Sequence, residues 1–512
     1  MREALTRREF GGIVASAATA HRVISEKQVF RPNILFVCSD QHMGTAMSCL
    51  GHPVVRTPNI DKLAARGTVF RNAYSNAPVC VPARAALMTG MFASDVNSYS
   101  NSTCFAGGSP TWATRLRQAG YYCWATGKMD LTQGVDFGFD EYETEHEHSR
   151  NPDITSLFRT PVGYRVDMRS SVDGAFKDRP HRDQERVNNA LDFLRRQAPK
   201  LRQPWAAYVG LTLPHPVFVA QRKFEALYPP EKMPLPNIPE GHLEQLHIPF
   251  QVLRDFNRIS TPIPVQRIRR ARAAYFGMIT ELDEYLGQLL DELDKLNMRE
   301  NTLVIYTSDH GEMLGEHGMW FKNNLLENAA RVPLIVAGPG FGPGQMIDTP
   351  VSHADLTPTL LEVAGAPTGT GLRGHSLAGL ARKEFQTHPG YAFSESHSEG
   401  NCTGSFMIRK GDWKYMYFTW YGNLLFHLKS DPGEFQNLSG QPDYKEIEQG
   451  LHSILTSLVD PDAVTRRAFD EHDKQLRTMI QQRTARQFYD LLVKRLGPGQ
   501  AASLTYHHYH QA

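Results

Sequence analysis

Four short apolar segments of this chain end in residues with carboxylate, ammonium or imidazole side chains. The ionisable residues that follow the segments are, in chain order, Asp40, Lys128, His215, Asp309 and His310. A single Asp or His at such a position is ordinarily a turn former or a helix cap. Four strand ends that all carry such residues are harder to explain as turns and caps. Ligands of open α/β sheets bind beyond the carboxyl ends of the strands, where these residues would lie. We therefore expect these side chains to line one ligand-binding pocket.

The elements that would position these residues follow from the hydrophobic pattern. Residues 33–38, 121–125, 205–211 and 302–306 predict buried strands, and helical patterns lie between them. This alternation is typical of an α/β domain with a largely parallel central sheet. Residues 268–296 repeat apolar side chains at spacings of three and four and predict a long packing helix. The proline-rich residues 225–265 predict an irregular surface segment.

The pattern changes near residue 390. Residues 405–408, 413–418 and 424–428 predict short antiparallel strands, and helical stretches follow them. We expect a catalytic domain over residues 29–389, a smaller α+β C-terminal subdomain over residues 390–500 and a flexible tail over residues 501–512.

Composition and charge exclude several classes of protein. The 512 residues include 55 basic and 54 acidic side chains, for a net charge of +1, whereas nucleic-acid-binding proteins normally carry a strong basic excess. No segment approaches the roughly 20 apolar residues that span a bilayer, so we expect no membrane span. Six cysteines are too few for a disulfide scaffold in a chain of this length, and none lies in a C-x-x-C pair, which argues against a structural zinc site.

The amino-terminal residues 1–28 predict an export signal. TRREF at residues 6–10 resembles a twin-arginine motif, and a weakly apolar stretch after it ends in the cleavage-like ATA at residues 18–20. A frayed, mildly basic helix is the alternative. The signal would place the mature protein in the periplasm or outside a bacterial cell.

The segment CVPAR at residues 80–84 resembles the C-x-P-S/A-R motif of the formylglycine-dependent sulfatases. Further segments resemble that family in order and spacing: PNI at 32–34, TPNID at 57–61, TSDHGE at 307–312, FK at 321–322, RVPL at 331–334 and DPGE at 431–434. The resemblance covers residues 31–440 and implies an alkaline phosphatase-like three-layer α/β/α sandwich. A buried structural cysteine in a proline turn is the alternative for Cys80.

The resemblance also implies a covalent mechanism. A maturation enzyme that generates formylglycine would oxidise Cys80, and Arg84 would hold the hydrated aldehyde. One oxygen of the diol attacks sulfur and expels the alcohol, and the other loses its proton so that sulfate is eliminated and the aldehyde returns. Because maturation acts on the unfolded segment, conversion in the cytosol and export of the folded protein are compatible.

One divalent metal ion is a further implication of the resemblance. Asp40, Asp309, His310 and an oxygen of the modified Cys80 would hold it. Many sulfatases have a second Asp where this chain has Gln41, which either ligates through its carbonyl oxygen or packs beside the site. We favour Ca²⁺, with Mn²⁺ and Mg²⁺ as alternatives. The Asp-Gln and Asp-His pairs are more similar to the choline sulfatase and phosphonate monoester hydrolase branches.

The resemblance also implies roles for three more residues at matching positions of the family. Lys128 matches a lysine that binds the sulfate and the diol, His215 matches a histidine near the leaving oxygen that can act as general acid, and Lys322 matches a lysine that neutralises a sulfate oxygen. The chain departs from most sulfatases at Asp130, where a histidine is usual. The segment GKMDLTQG at residues 127–134 instead resembles G-K-x-D-Y-T-S-G of the arylsulfatase K branch, whose members remove the 2-sulfate of glucuronate.

The predicted substrate is a small-molecule or oligosaccharide sulfate ester, such as a 2-sulfated uronic acid of a sulfated glycan. Arg165, Arg169 and His397 are the candidate partners for its carboxylate, and solvated loop residues are the alternative for each. Choline sulfate hydrolysis and phosphodiester or phosphonate monoester hydrolysis suit the same residues. A catalytically silent sulfated-glycan binder with an unconverted Cys80 is the alternative outside enzymes. The sequence leaves the oligomeric state open.

Overall fold

The computed structural model describes residues 31–143, 153–158 and 165–510. The predicted export signal at residues 1–28 lies outside the described residues.

The described strands, in chain order, are β1 (Asn33–Asp40), β2 (Thr68–Phe70), β3 (Ala73–Tyr74), β4 (Tyr122–Gly127), β5 (Glu141–Glu143), β6 (Gly174–Lys177), β7 (Trp205–Pro214), β8 (Phe218–Gln221), β9 (Thr302–Ser308), β10 (Arg331–Val332), β11 (Leu334–Ala337), β12 (Gln345–Ile347), β13 (Val351–Ser352), β14 (Tyr391–Ser396), β15 (Ser405–Lys410), β16 (Trp413–Phe418) and β17 (Leu424–His427). The described α-helices are α1 (Pro58–Arg66), α2 (Cys80–Thr89), α3 (Trp112–Gln118), α4 (Val166–Ser171), α5 (Asp183–Asp192), α6 (Ile248–Phe256), α7 (Val265–Lys295), α8 (Glu327–Ala330), α9 (Leu356–Val363), α10 (Ala378–Ala381), α11 (Lys445–Leu458), α12 (Pro461–Gln481) and α13 (Ala485–His510).

The largest sheet among the described residues has eight strands in the order β12-β2-β11-β9-β1-β7-β4-β5. The neighbours β9, β1, β7, β4 and β5 all run parallel, and β11 is antiparallel to both β9 and β2. The four predicted strands are β1, β4, β7 and β9, so the prediction of a largely parallel α/β sheet is confirmed.

Side chains of β1 alternate between two cores, one on each face of this sheet. Leu35 and Val37 pack in a core with residues of α1, α5 and α7. Ile34 and Phe36 pack in a second core with residues of α2, α3 and α9. A strand buried on both faces shows a continuous apolar run instead of alternation, as residues 33–38 do. Helices therefore cover both faces, which gives the predicted three layers.

The smaller C-terminal sheet is antiparallel, in the order β14-β15-β16-β17. Met407 and Met416 face a core that includes Leu326 of the larger domain, and the opposite face packs on α11 and α12. The predicted flexible tail differs from the structure, because α13 continues to His510 with a break at Gly497. Leu504 is buried in an apolar cluster with Phe488, which gives this end of the helix a packing partner. No helix in the described ranges is long and apolar enough to cross a membrane.

A buried ion cluster joins the C-terminal sheet to the larger domain. Lys414 of β16 has no exposed surface, and its ammonium lies 2.9 Å from Glu327 and 2.8 Å from Glu434. The second carboxylate oxygen of Glu434 accepts a hydrogen bond of 2.7 Å from the backbone NH of Glu327 at the start of α8. Because two buried carboxylates share this ammonium, its removal would leave them without that compensation.

We expect the substitution Lys414→Met to lower the free energy of unfolding by about 3 kcal/mol, because it leaves buried negative charge uncompensated. Denaturant unfolding followed by circular dichroism measures the change. Lys223→Met removes an exposed ion pair with Glu284 and is the matched control, with an expected change under about 0.5 kcal/mol. Equal effects of the two substitutions would contradict the structural role of the buried cluster.

Candidate active site

Strand register brings the predicted ionisable residues to one edge of the large sheet. Ser39 pairs with Ser308, so the residues that follow them, Asp40 and Asp309, leave the sheet side by side. β4 and β7 end at the same edge, where Lys128 and His215 follow them. The carboxyl ends of parallel strands always meet in this way, which is why such residues converge.

Four of the predicted metal ligands form a compact, fully buried cluster. One ligand atom from each of Asp40, Cys80, Asp309 and His310 lies within 4.8 Å of those of the others. Cys80 is the first residue of α2, and its Sγ lies 3.4 Å from Nε2 of His310. Here Sγ represents the unconverted thiol. Burial raises the pKa of this thiol, but nearby positive charges, chiefly Lys128 and Lys322, outweigh burial and hold the pKa well below its ordinary value.

The donor set fits a divalent cation. Oδ1 of Asp40 is buried and has no hydrogen-bond partner among the described residues, which is costly for a carboxylate unless a cation faces it. Nδ1 of His310 lies 3.0 Å from the carbonyl oxygen of Gly311, so a proton on Nδ1 leaves Nε2 free to ligate. Burial opposes ionisation of Asp40, but Lys128 and other positive charges around it hold its pKa well below the ordinary value.

Arg84, in the second turn of α2, forms hydrogen bonds with several residues around the cluster. Its guanidinium has no exposed surface and donates hydrogen bonds of 3.0 Å to Asp309 Oδ2, 2.7 Å to the carbonyl oxygen of Lys128 and 2.9 Å to the hydroxyl of Tyr208. Burial opposes its charge, but Asp309 and other acidic groups around it together outweigh burial, and the pKa of Arg84 is raised well above its ordinary value. The charged form therefore binds strands β4, β7 and β9 to α2.

Lys128 enters the cluster through a backbone turn that only glycine permits. Gly127 has φ of 86°, and a Cβ there would lie 1.9 Å from the carbonyl oxygen of Gly210 on β7. The ammonium of Lys128 forms an ion pair with Asp40 and lies 3.3 Å from Asp130. Asp130, which replaces the usual histidine, also lies 3.5 Å from Arg84. Its carboxylate thus balances the two cations that flank it.

Lys322 faces the nucleophile position from the loop between β9 and α8. Its Nζ donates hydrogen bonds of 2.8 Å to Sγ of Cys80 and 3.0 Å to Oε1 of Gln41. Gln41 has φ of 69°, and its amide donates a hydrogen bond to Glu312. Glu312 in turn accepts hydrogen bonds from backbone NH groups of the same loop. The amide oxygen of Gln41 therefore lies at the cluster, paired with Lys322.

The other predicted residues have protein partners of their own. His215 is half-buried, with Nδ1 2.6 Å from the carbonyl oxygen of Pro216, and its charge contributes to the low pKa of Asp40. Arg165 is buried between Asp153 at 3.0 Å and Asp167 at 2.8 Å. Arg169 donates hydrogen bonds to backbone carbonyl groups of residues 258, 261 and 262. The imidazole of His397 is buried 3.0 Å from Glu395.

The structure therefore brings the predicted metal ligands and lysines together. Arg165, Arg169 and His397, which were predicted to bind a substrate carboxylate, instead contact carboxylates or backbone carbonyl groups of the protein. The structure also adds residues that sequence reasoning missed. Tyr208 lies inside β7, within a continuous buried apolar run whose pattern does not single out one side chain. Asn101 and Glu399, which hydrogen-bond to each other beside the cluster, are 298 positions apart. No local spacing could have related those two residues.

Comparisons with known proteins agree with the fold. Residues 32–366 match the family described as Sulfatase, and residues 315–460 match N-sulphoglucosamine sulphohydrolase, C-terminal. A choline-sulfatase of Rhizobium meliloti (strain 1021) is 35% identical over 430 residues, which cover 80% of this chain and 83% of the relative. Arylsulfatase K of Danio rerio is 31% identical over 454 residues, 85% of each chain. The crystal structure of the phosphonate monoester hydrolase of Agrobacterium radiobacter superposes with a TM-score of 0.69 and 25% identity over 84% of this chain and 95% of that one. The chain therefore belongs to the sulfatase family, has its alkaline phosphatase-like fold, and is a sulfuric ester hydrolase.

Proposed function

We propose that this enzyme hydrolyses sulfate esters with a formylglycine formed from Cys80 and with one divalent metal ion. The observation that carries the proposal is the position of Cys80, whose Sγ lies at hydrogen-bond distance from both His310 and Lys322 inside a buried cluster of ligand atoms. A binding protein would have no need for a nucleophile in that position. When formed, formylglycine supplies a hydrated aldehyde that accepts the sulfuryl group and releases sulfate by elimination.

The side chains around Cys80 suit a sulfate monoester. Lys322 and Lys128 present two buried ammonium groups near the nucleophile position, where they can neutralise nonbridging sulfate oxygens. Arg84 anchors the first turns of α2 and so holds residue 80 in place. His215, which is half-buried directly after β7, can protonate the leaving alcohol oxygen.

Asp40, Asp309, His310 and the modified residue 80 would hold the metal ion, and the amide oxygen of Gln41 lies close enough to the cluster to join them. A divalent ion supplies a Lewis acid that withdraws charge from the sulfate oxygens. Three of the donors are oxygen atoms, for which Ca²⁺ remains the favoured ion, and the imidazole keeps Mn²⁺ and Mg²⁺ as alternatives.

Conversion of Cys80 is tested directly by mass spectrometry. Trypsin cuts after Arg71 and Arg84, and we expect the peptide from Asn72 to Arg84, from protein made together with a maturation enzyme, to carry an aldehyde or its hydrate at position 80. Cys80→Ala should lower kcat by about 10⁴-fold or more, because it removes the covalent route. Cys49→Ala, at a half-buried cysteine outside the cluster, is the control and should leave kcat unchanged. An unconverted thiol in active enzyme would refute the mechanism, and an unconverted thiol in inactive protein would favour the silent binder.

The metal ion is tested by its removal. We expect dialysis against a chelator to abolish turnover and Asp40→Ala to lower the bound metal by about tenfold or more, since a carboxylate ligand is lost. Metal content is measured by inductively coupled plasma mass spectrometry. Asp136→Ala, which removes an exposed carboxylate paired with Arg117, should retain the full metal content. Full activity of metal-free protein would contradict the proposal.

We propose a sulfated sugar as the substrate class, supported by the GKMD segment that resembles the arylsulfatase K branch and by the 31% identity to Arylsulfatase K. Choline sulfate is the second candidate, and the 35% identity to a choline-sulfatase favours it. The internal ion pairs of Arg165 weigh against a direct role of that residue with a uronate carboxylate. Residues 1–28 would export the folded, matured enzyme.

A substrate panel separates these candidates. We expect kcat/KM for a 2-sulfated uronoside or another sulfated sugar to exceed that for choline sulfate by at least about tenfold, a difference of about 1.4 kcal/mol in transition-state binding. Sulfate esters should also exceed matched phosphate and phosphonate monoesters. Faster turnover of choline sulfate would contradict the sulfated-sugar proposal and favour choline sulfate as the substrate. Faster turnover of the phosphonate would contradict the preference for sulfate esters.

A further inference from the structure

Glu399 lies in the loop between β14 and β15 of the C-terminal sheet, and its side chain is buried against the catalytic cluster. The residue is 4% exposed. One carboxylate oxygen accepts a hydrogen bond from Nδ2 of Asn101, and the other accepts a hydrogen bond of 3.0 Å from Nδ2 of Asn323. The carboxylate is therefore a double acceptor between two asparagine amides that come from distant parts of the chain.

Each of these asparagines forms a hydrogen bond with the backbone of a residue close in sequence to Cys80, the proposed nucleophile. Oδ1 of Asn101 accepts a hydrogen bond of 3.1 Å from the backbone NH of Val81, the residue after Cys80 in the first turn of α2. Asn323 directly follows Lys322, and its own backbone NH donates to the carbonyl oxygen of Pro78 at 3.2 Å. Glu399 thus connects the start of α2 to the segment that carries Lys322.

Burial and charges of both signs act on the carboxylate of Glu399. Burial and the nearby Asp153 raise its pKa, whereas Lys322 and Arg165 favour the charged form. Glu399 and Asn323 both have left-handed backbone conformations, with φ of 50° and 73°. Such values are unfavourable for residues other than glycine and persist where surrounding contacts hold them. The hydrogen bonds between the two side chains are contacts of that kind.

We propose that Glu399 is a positioning residue that holds Cys80 and Lys322 in register through Asn101 and Asn323. The assignment rests on the proposed function, since it presumes that residue 80 is the nucleophile. Glu399 is linked to both residues through the two asparagines, so its loss should misplace the reacting groups without removing a substrate contact. A displacement of about 1 Å at a reacting group costs about 100-fold in rate. The effect should therefore fall on kcat and leave KM nearly unchanged.

The hydrogen-bond pattern allows a rescue that a merely structural role would not show. In Glu399→Gln the new amide must direct its NH₂ group at the NH₂ group of one asparagine, so one bond is lost. Adding Asn101→Asp restores the pattern, because one oxygen of the aspartate accepts from the NH of Val81 and the other accepts from the glutamine NH₂. Glu292→Gln is the matched control. Its carboxylate also accepts two hydrogen bonds, from Arg195, but it lies in the last turns of α7, which leads to the opposite edge of the sheet.

The experiment measures kcat and KM with p-nitrophenyl sulfate for proteins made with the maturation enzyme, after peptide mass has confirmed equal conversion of Cys80. We expect Glu399→Gln to lower kcat by about 10- to 100-fold, with KM within about threefold of that of the protein without substitutions. The added Asn101→Asp should recover most of the loss in kcat. Glu292→Gln should stay within about twofold. A kcat within about threefold for Glu399→Gln, or a loss that Asn101→Asp does not recover, would overturn the assignment.

Two further variants keep the outcomes separate. If Glu399→Gln does not fold, Asn101→Ala breaks the same connection from the side of α2 and should lower kcat by about tenfold at unchanged KM; an unchanged kcat would overturn the assignment. Activity that survives Cys80→Ala would refute the proposed function itself. Loss of activity in Cys80→Ala together with full activity of Glu399→Gln would refute the positioning role alone.

Discussion

Arg84 carries a guanidinium with no exposed surface at the centre of the site, and the arrangement around it depends on how that charge is balanced. Asp309 lies against it, Asp40 and Asp130 lie within 4 Å, and Tyr208 and the carbonyl oxygen of Lys128 accept hydrogen bonds from its Nη1. A buried charge is tolerated only when it is paired and hydrogen-bonded in this way. Because its partners come from several strands, Arg84 also fixes where α2 starts relative to the sheet.

The same rule of charge balance explains the rest of the cluster. Lys128 is paired with Asp40, and Lys322 lies against Cys80 and Gln41, so neither buried ammonium is left without an acceptor. One buried oxygen of Asp40 has no hydrogen-bond partner among the described residues, which gives the proposed cation a defined place. Asp130 fits the scheme as well. It takes the position of a usual histidine, and its negative charge lies between Arg84 and Lys128 instead of supplying a proton at neutral pH.

The C-terminal subdomain contributes to the site as well as to stability. Lys414 of β16 pairs with Glu327 and Glu434 and joins the small sheet to the larger domain. The loop between β14 and β15 then extends toward the start of α2, where Glu399 meets Asn101 and Asn323. The small sheet lies within residues 315–460, which match a second family description. Its position relative to the large sheet decides whether the proposed bridge can form.

The sequence by itself determined the class of fold, the family and the residues of the proposed metal cluster. Buried parallel strands are continuous apolar runs with ionisable residues after them, and Asp40, Lys128 and Asp309 are found by that local pattern. The resemblance added Cys80, Arg84 and Lys322. Only the tertiary structure decided the partners of Arg165 and His397, the helix that extends to His510 and the bridge through Glu399. The bridge joins residues 298 positions apart. The partners of Arg165 and His397 are nearer in the chain, but neither composition nor periodicity encodes which buried charges will meet.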